Sequence, residues 1–149
     1  MTKTVLAISS SGGHWEQLML LREAFAEHNV VYANTLSGLA ERNGISGAYL
    51  VGDCNRDTPL KNLKTAAQIF RIIWKHKPDV IISTGAAPGI IAIAIGRMFR
   101  ARTIWIDSIA NSEKLSMSGK IAGYVAHLQL TQWEHLAREN GPRYAGSVL

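Results

Sequence analysis

Three short stretches of this 149-residue chain set chemistry-bearing residues among small ones, each directly after a β-branched run. The first, Ser9-Ser10-Ser11-Gly12-Gly13-His14, follows Thr4-Val5-Leu6-Ala7-Ile8 and precedes a helical pattern. Gly12 and Gly13 permit backbone conformations that a side chain forbids, and a helix opening there offers free N–H groups and a positive dipole end to an anion such as a diphosphate. His14 adds an imidazole that can take a proton from an attacking hydroxyl or hydrogen-bond a phosphate. The same residues suit a plain strand-to-helix turn with Ser11 as its cap. The spacing is neither GxGxxG nor a Walker A, which argues against a nicotinamide cofactor and against ATP hydrolysis.

The second stretch, Ser83-Thr84-Gly85-Ala86-Ala87-Pro88-Gly89, follows Asp79-Val80-Ile81-Ile82. Thr84, Gly85 and Gly89 let a ligand or another backbone come close, and Pro88 suits the first turn of a helix; a compact turn uses the same residues. The third runs from Asp107 to Glu113 after Thr103-Ile104-Trp105-Ile106. It supplies two carboxylates, Asp107 and Glu113, with Ser108, Asn111 and Ser112 as hydrogen-bonding groups, all of which caps and turns also employ. The five histidines show no HxxxH pair, so neither a metal nor another cofactor is expected. Cys54 is the only cysteine, which excludes an internal disulfide and fits a reducing cytoplasm.

The elements that must position these loops follow from hydrophobic pattern. Apolar runs at Val5–Ile8, Val30–Ala33, Ala48–Val51, Asp79–Ser83 and Thr103–Asp107 lack polar alternation, as parallel strands covered on both faces do. Helices are predicted over His14–Glu27, Lys61–Lys77, Gly89–Phe99, Ser116–Ala122 and Gln132–Glu139, and the polar segment Gly52–Pro59 reads as a surface connection. Strands alternating with helices predict one α/β domain over residues 1–149, a doubly wound, Rossmann-like parallel sheet. Ligands bind such sheets outside the carboxyl ends of the strands, where all three loops fall.

Sixteen Lys and Arg against eleven Asp and Glu give a formal charge of +5, which favours anionic partners without choosing among them. No secretion signal is evident, because the first apolar run is short and breaks at Ser9-Ser10-Ser11, and the most apolar stretch, Ala86–Gly96, contains Pro88 and Gly89 and is too short to span a membrane. The predicted second helix carries Phe70, Trp74 and Lys75 among further cations, and Arg97 and Arg100 follow the apolar stretch, a composition that suits contact with an anionic membrane surface as well as an ordinary crossover helix with solvated lysines. Nucleic-acid binding rests on charge alone, with no motif to support it.

SSSGGHWEQL, DVIISTGAAPG and IDSIANSEKLSMSGKIAGYVAHLQLTQWEHL, in that order, resemble the membrane-associated acceptor subunit of split GT-B glycosyltransferases. These include the anchoring subunit of the transferase that adds the second GlcNAc to dolichol-diphosphate-GlcNAc and bacterial relatives from exopolysaccharide and capsule synthesis. The resemblance implies the N-terminal half of a GT-B fold. It also implies an inverting transferase subunit that needs a second, donor-binding chain and reaches the nucleotide sugar only through that partner. The acceptor would be a polyprenyl-diphosphate-linked saccharide, and the chain would lie peripherally on the inner face of the cytoplasmic membrane. His14 is the expected base, with Asp107 and Glu113 as weaker alternatives. Ser11, Gly12, Gly13, Thr84, Gly85, Pro88, Gly89 and Asn111 are the expected substrate contacts. A stand-alone nucleotide or nucleotide-sugar binding module with regulatory work is the alternative.

Overall fold

A computed structural model describes residues 1–54 and 57–148. Its strands are β1 (Thr4–Ser9), β2 (Asn29–Asn34), β3 (Tyr49–Leu50), β4 (Val80–Gly85), β5 (Arg102–Ile106), β6 (Leu128–Thr131) and β7 (Arg143–Tyr144). All neighbours pair in parallel, in the order β3-β2-β1-β4-β5-β6-β7. The chain winds outward from β1 to β3, then returns to the other side of β1 for β4. The strand order therefore reverses between β1 and β4, and the loops after those two strands diverge from a shared crevice.

β1 shows why the sheet needs two covers. Val5 and Ala7 face one layer while Leu6 and Ile8 face the other, and all four are buried. The first layer contains α1 (Gly13–Leu20), a 3-10 turn at Arg22–Phe25 and the single-turn α2 (Leu39–Arg42), and brings Trp15, Leu18, Phe25 and Ala40 against Val5, Ala7, Ile82 and Ile106. The second contains α3 (Pro59–His76), α4 (Ala87–Met98) and α5 (Met117–Val125). There Ile69, Ile72, Ile73 and Ala92 pack on Leu6, Ile8 and Ile81, and Ile93 and Ala122 pack on Trp105. α3 has Pro59 in its first turn and ends at Lys77, whose φ of 44° breaks the helix, followed by Pro78. Gly96 lets α4 lie close to β4, since a Cβ there would run into the Ile81 side chain.

The predicted strands and the helices α3, α4 and α5 form with shifts of a few residues at their ends. Of the Gly52–Pro59 connection, residues 55 and 56 lie outside the described residues. The helix predicted over His14–Glu27 stops at Leu20, and the rest is a 3-10 turn that keeps Phe25 buried but leaves Ala24 exposed. The helix predicted over Gln132–Glu139 does not form. The Trp133 indole N–H donates to Ile109 O at 2.7 Å and the His135 ring lies 2.6 Å from Ser112 O, so this segment is drawn across the β5–α5 loop, with one 3-10 turn at Glu134–Leu136. β6 was not anticipated because its inward residues are polar: Gln129 and Thr131 are buried while Leu128 and Leu130 are half-buried.

Two histidines couple this packing to pH. His127 Nδ1 accepts from the Thr103 N–H at 3.2 Å and lies 2.8 Å from Thr103 Oγ1, and His76 Nε2 lies 2.7 Å from the Tyr49 hydroxyl. Both are held below the ordinary value of 6.5, His127 by desolvation and then Arg97 and Arg102, His76 by desolvation and then Lys75. The unfolded chain therefore takes up more protons than the folded one just below pH 6.5, so these groups make stability fall on acidification through that window. Urea midpoints measured from pH 7.5 to 5.0 should drop, and the double variant His76→Gln/His127→Asn should show a shallower drop; an unchanged slope refutes the assignment.

Candidate active site

The loops after β1 and β4 are locked to each other. His14 Nδ1 lies 2.9 Å from the Thr84 carbonyl oxygen, and Thr84 Oγ1 donates back to the His14 carbonyl at 2.6 Å. Ser10 N–H also donates to Gly85 O at 2.9 Å. A carbonyl oxygen can only accept, so Nδ1 carries a proton, and Nε2 is the nitrogen that holds the lone pair when the ring is neutral. Gly85 makes the approach possible: its φ is +127°, and a Cβ there would collide with the His14 ring.

His14, Thr84 and Gly85 line a cleft of about 180 Å³ with Ala86, Trp105, Asp107, Asn111, Ser116, Met117 and Ser118. Three strand ends thus contribute to one concavity. α1 enters beside it with Gly12 at its N-cap, φ 75°, and no side-chain cap; α4 likewise starts at Ala86 without one. The expected cap, Ser11, does not serve as one, and its own N–H donates to Thr35 Oγ1 at 3.0 Å. The opening amides of α1 are left facing outward with the positive end of the dipole, an arrangement that suits an anion.

The other expected site residues divide. Asp107 reaches the cleft but is only 1% exposed, and both its oxygens are occupied. Oδ1 accepts from Ser116 Oγ at 2.6 Å and Trp105 Nε1 at 3.1 Å; Oδ2 accepts from Ser116 N at 2.9 Å and Asn111 Nδ2 at 3.4 Å. Ser116 in turn caps α5 by accepting from Gly119 N at 2.8 Å, and Gly119 has no Cβ to strike the carboxylate. Asp107 is thereby a buried brace for the β5–α5 loop. Glu113 is exposed and outside the cleft lining. Pro88 and Gly89 are buried beneath it, where a Cβ on Gly89 would strike the Ser83 side chain and approach Trp105 to 3.3 Å, so they serve packing. Among the described residues no group of three or more His, Cys, Asp or Glu could hold a metal ion.

Two residues absent from the sequence reading complete the site. Gln17, buried in α1, donates to Gly13 O at 3.2 Å and Ser108 Oγ at 3.1 Å, and accepts from Ile109 N at 3.0 Å and Gln132 Nε2 at 2.6 Å. Gln132 also donates to Asp107 O at 3.0 Å and accepts from Val148 N at 3.0 Å. One pair of amides thus joins the glycine loop, the β5 loop, the end of β6 and the C-terminal segment. Gln17 falls one helical turn after Gly13, the i to i+4 offset at which a side chain reaches the first-turn carbonyl; that spacing was the available signal.

A second surface lies on the other layer. Leu60, Leu63, Phe70 and Trp74 of α3 are 82, 68, 45 and 63% exposed. With Ala67 they repeat at intervals of three and four, which aligns them in one row. Phe70 also packs edge-on against Phe99 of the α4 end at 5.4 Å. Lys75 sits over the Tyr49 ring, and Arg97 donates to Val125 O at 3.0 Å, while Arg100 is exposed. Among the described residues no helix is long and apolar enough to cross a membrane.

With this geometry in place, comparison with known proteins is decisive at the family level. Residues 40–148 match the family described as "Oligosaccharide biosynthesis protein Alg14 like". The chain belongs to the Alg14-like family. A protein of Eremothecium gossypii named UDP-N-acetylglucosamine transferase subunit ALG14 is 24% identical over 97% of this chain and 80% of its own length. A protein of the same name from Yarrowia lipolytica is 30% identical over 66% of this chain and 48% of its length. MurG of Acinetobacter baumannii superimposes with a TM-score of 0.80 at 14% identity, over 96% of the Alg14-like chain and 45% of MurG. A UDP-N-acetylglucosamine 2-epimerase from Rickettsia bellii gives 0.75 at 14% identity, over 99% and 46%. The Alg14-like chain thus has the fold of the N-terminal half of such two-domain proteins and spans less than half the length of either.

The Asp107 brace yields a measurable expectation. Asp107→Asn replaces one accepting oxygen by an amide that meets donors, and should lower unfolding free energy by about 2–3 kcal/mol in urea. A loss below about 0.5 kcal/mol would contradict the four-donor geometry.

Proposed function

We propose that this chain is the acceptor-binding, membrane-docking subunit of a two-chain inverting glycosyltransferase. It would pass a sugar from a nucleotide sugar, held by the partner, to a polyprenyl-diphosphate-linked saccharide. The observation that carries the reading is the His14–Thr84 pair: it presents an imidazole with its proton fixed on Nδ1 at the mouth of a cleft, beside the uncapped start of α1. In an inverting transfer the acceptor hydroxyl attacks the anomeric carbon, the bond from that carbon to the nucleotide diphosphate breaks, and a base removes the hydroxyl proton. His14 Nε2 is that base. The first-turn amides of α1, reached over Gly12 and Gly13, hold the acceptor diphosphate, and Asn111 and Ser116 border the sugar. Asp107 is not assigned this role, because its carboxylate is buried and accepts from four donors of the surrounding loop.

A donor-binding partner chain is part of the same proposal. The relatives are named as subunits, and this chain superimposes on 45% of the MurG chain, which supports a reading in which the rest of the site comes from a second chain. The donor site then belongs to the second chain. Membrane docking is assigned to the α3 row of Leu60, Leu63, Phe70 and Trp74, flanked by Lys61, Lys64, Arg71 and Lys75, with Arg97 and Arg100 on the neighbouring helix end; apolar residues rimmed by cations suit an anionic leaflet. The setting in bacterial exopolysaccharide or capsule assembly rests on the sequence resemblance.

Two outcomes test this reading. Co-purified with its donor-binding chain, His14→Ala should retain the complex and lose about 10²- to 10⁴-fold in turnover, whereas near-normal turnover removes His14 from the chemistry. Phe70→Glu/Trp74→Glu should abolish cosedimentation with vesicles containing phosphatidylglycerol; retained binding moves the docking surface elsewhere.

A further inference from the structure

α5 carries a feature that neither the cleft chemistry nor the α3 surface uses. Met117, Ile121 and Tyr124 are 59, 48 and 88% exposed. Their i, i+4, i+7 spacing aligns them in one row about 10 Å long on the outer side of the helix. The inner side is fully committed, with Gly119 against Asp107 and Ala122 in the cluster with Ile93 and Trp105. The row begins inside the candidate active site, because Met117 and Ser118 belong to the cleft wall that also holds His14, Asn111 and Ser116. It ends at the opposite end of α5, where Arg97 of α4 bonds to Val125 O, in the helical layer that also contains α3. No acidic residue occurs in α5, and Lys120 is exposed between the apolar positions.

We propose that this row is the track for the isoprenoid chain of the acceptor, with Met117, Ile121 and Tyr124 as its contacts. The assignment rests on the acceptor reading above, since it starts from a diphosphate seated at the α1 amides. A lipid-linked substrate must carry its hydrocarbon from that cleft toward the bilayer. The row starts at the cleft wall and, with Lys120 beside it, comprises three apolar side chains, far fewer than the roughly 20–30 residues a side of a standard protein interface. Ile121 and Tyr124 thus determine how much the enzyme gains from the lipid, while the diphosphate and sugar are read in the cleft.

The test uses the purified full chain and two soluble probes, inorganic diphosphate and farnesyl diphosphate below its micellar concentration, followed by tryptophan fluorescence. The quantity read is the ratio of the two Kd values in each protein. The wild-type chain should bind farnesyl diphosphate at least about 30-fold more tightly than inorganic diphosphate, and Ile121→Asn/Tyr124→Asn should reduce that ratio about 10-fold, as burial of a few methylenes implies. Tyr124→Ser alone, at a position too exposed to affect folding, should reduce it in the same direction. A wild-type ratio near one, or an unchanged ratio in both variants, overturns the track while leaving the diphosphate site standing. Failure of both probes to bind overturns the acceptor reading itself, and the track with it.

Discussion

The reciprocal hydrogen bonding of His14 and Thr84 is the interaction on which the site depends. It ties the loop after β1 to the end of β4 at the place where the winding direction of the sheet reverses, and so fixes one wall of the crevice that an open α/β sheet leaves there. Its two halves do different things. The Thr84 hydroxyl fixes the backbone at the start of α1, and the Thr84 carbonyl chooses the tautomer of the ring. Gly85 is the condition for both, since the ring occupies the volume where a side chain would stand.

Around this clamp the polar groups are arranged as braces. Asp107 gathers Ser116, Asn111 and Trp105, and the paired amides of Gln17 and Gln132 extend the same network to Val148. Buried polar atoms are tolerated when each finds a partner, and such a connected set holds three loops in one arrangement more firmly than separate bonds would. The cleft can therefore be small and still be preformed.

Much of this was legible in the sequence, for identifiable reasons. The central strands are continuous apolar runs, so their parallel pairing and double cover followed from composition, and α3 announced itself by an apolar face at helical spacing. The ends of the sheet were not legible. β6 turns glutamine and threonine inward, and the Trp133–His135 segment has helical composition but gives its ring nitrogens to a neighbouring loop, a tertiary contact that no local pattern encodes. The same limit applies to the site. His14 and the glycines were visible as residue types beside a strand end, whereas Asp107 looked like a catalytic carboxylate until its four donors were in view, and Gln17 resembled any polar helical residue. Gly89 was visible only as a small residue, and what it makes room for is the Ser83 side chain rather than a substrate.

The composition of the two helical layers has an electrical consequence. α3, α4 and α5 contain Lys61, Lys64, Arg71, Lys75, Arg97 and Lys120 and no acidic residue, while the helical elements of the opposite layer carry Glu16, Glu23 and Glu41 against Arg22 and Arg42. The net charge of +5 thus understates the asymmetry: the protein is polarised across its sheet. In the field of an anionic leaflet it experiences a torque as well as an attraction, within about a Debye length of the surface. Under the docking proposed above, encounters would be biased before contact, with the α3–α5 layer turned to the lipid. Raising the ionic strength would slow productive arrival by randomising orientation, even where the bound state is held by apolar contact.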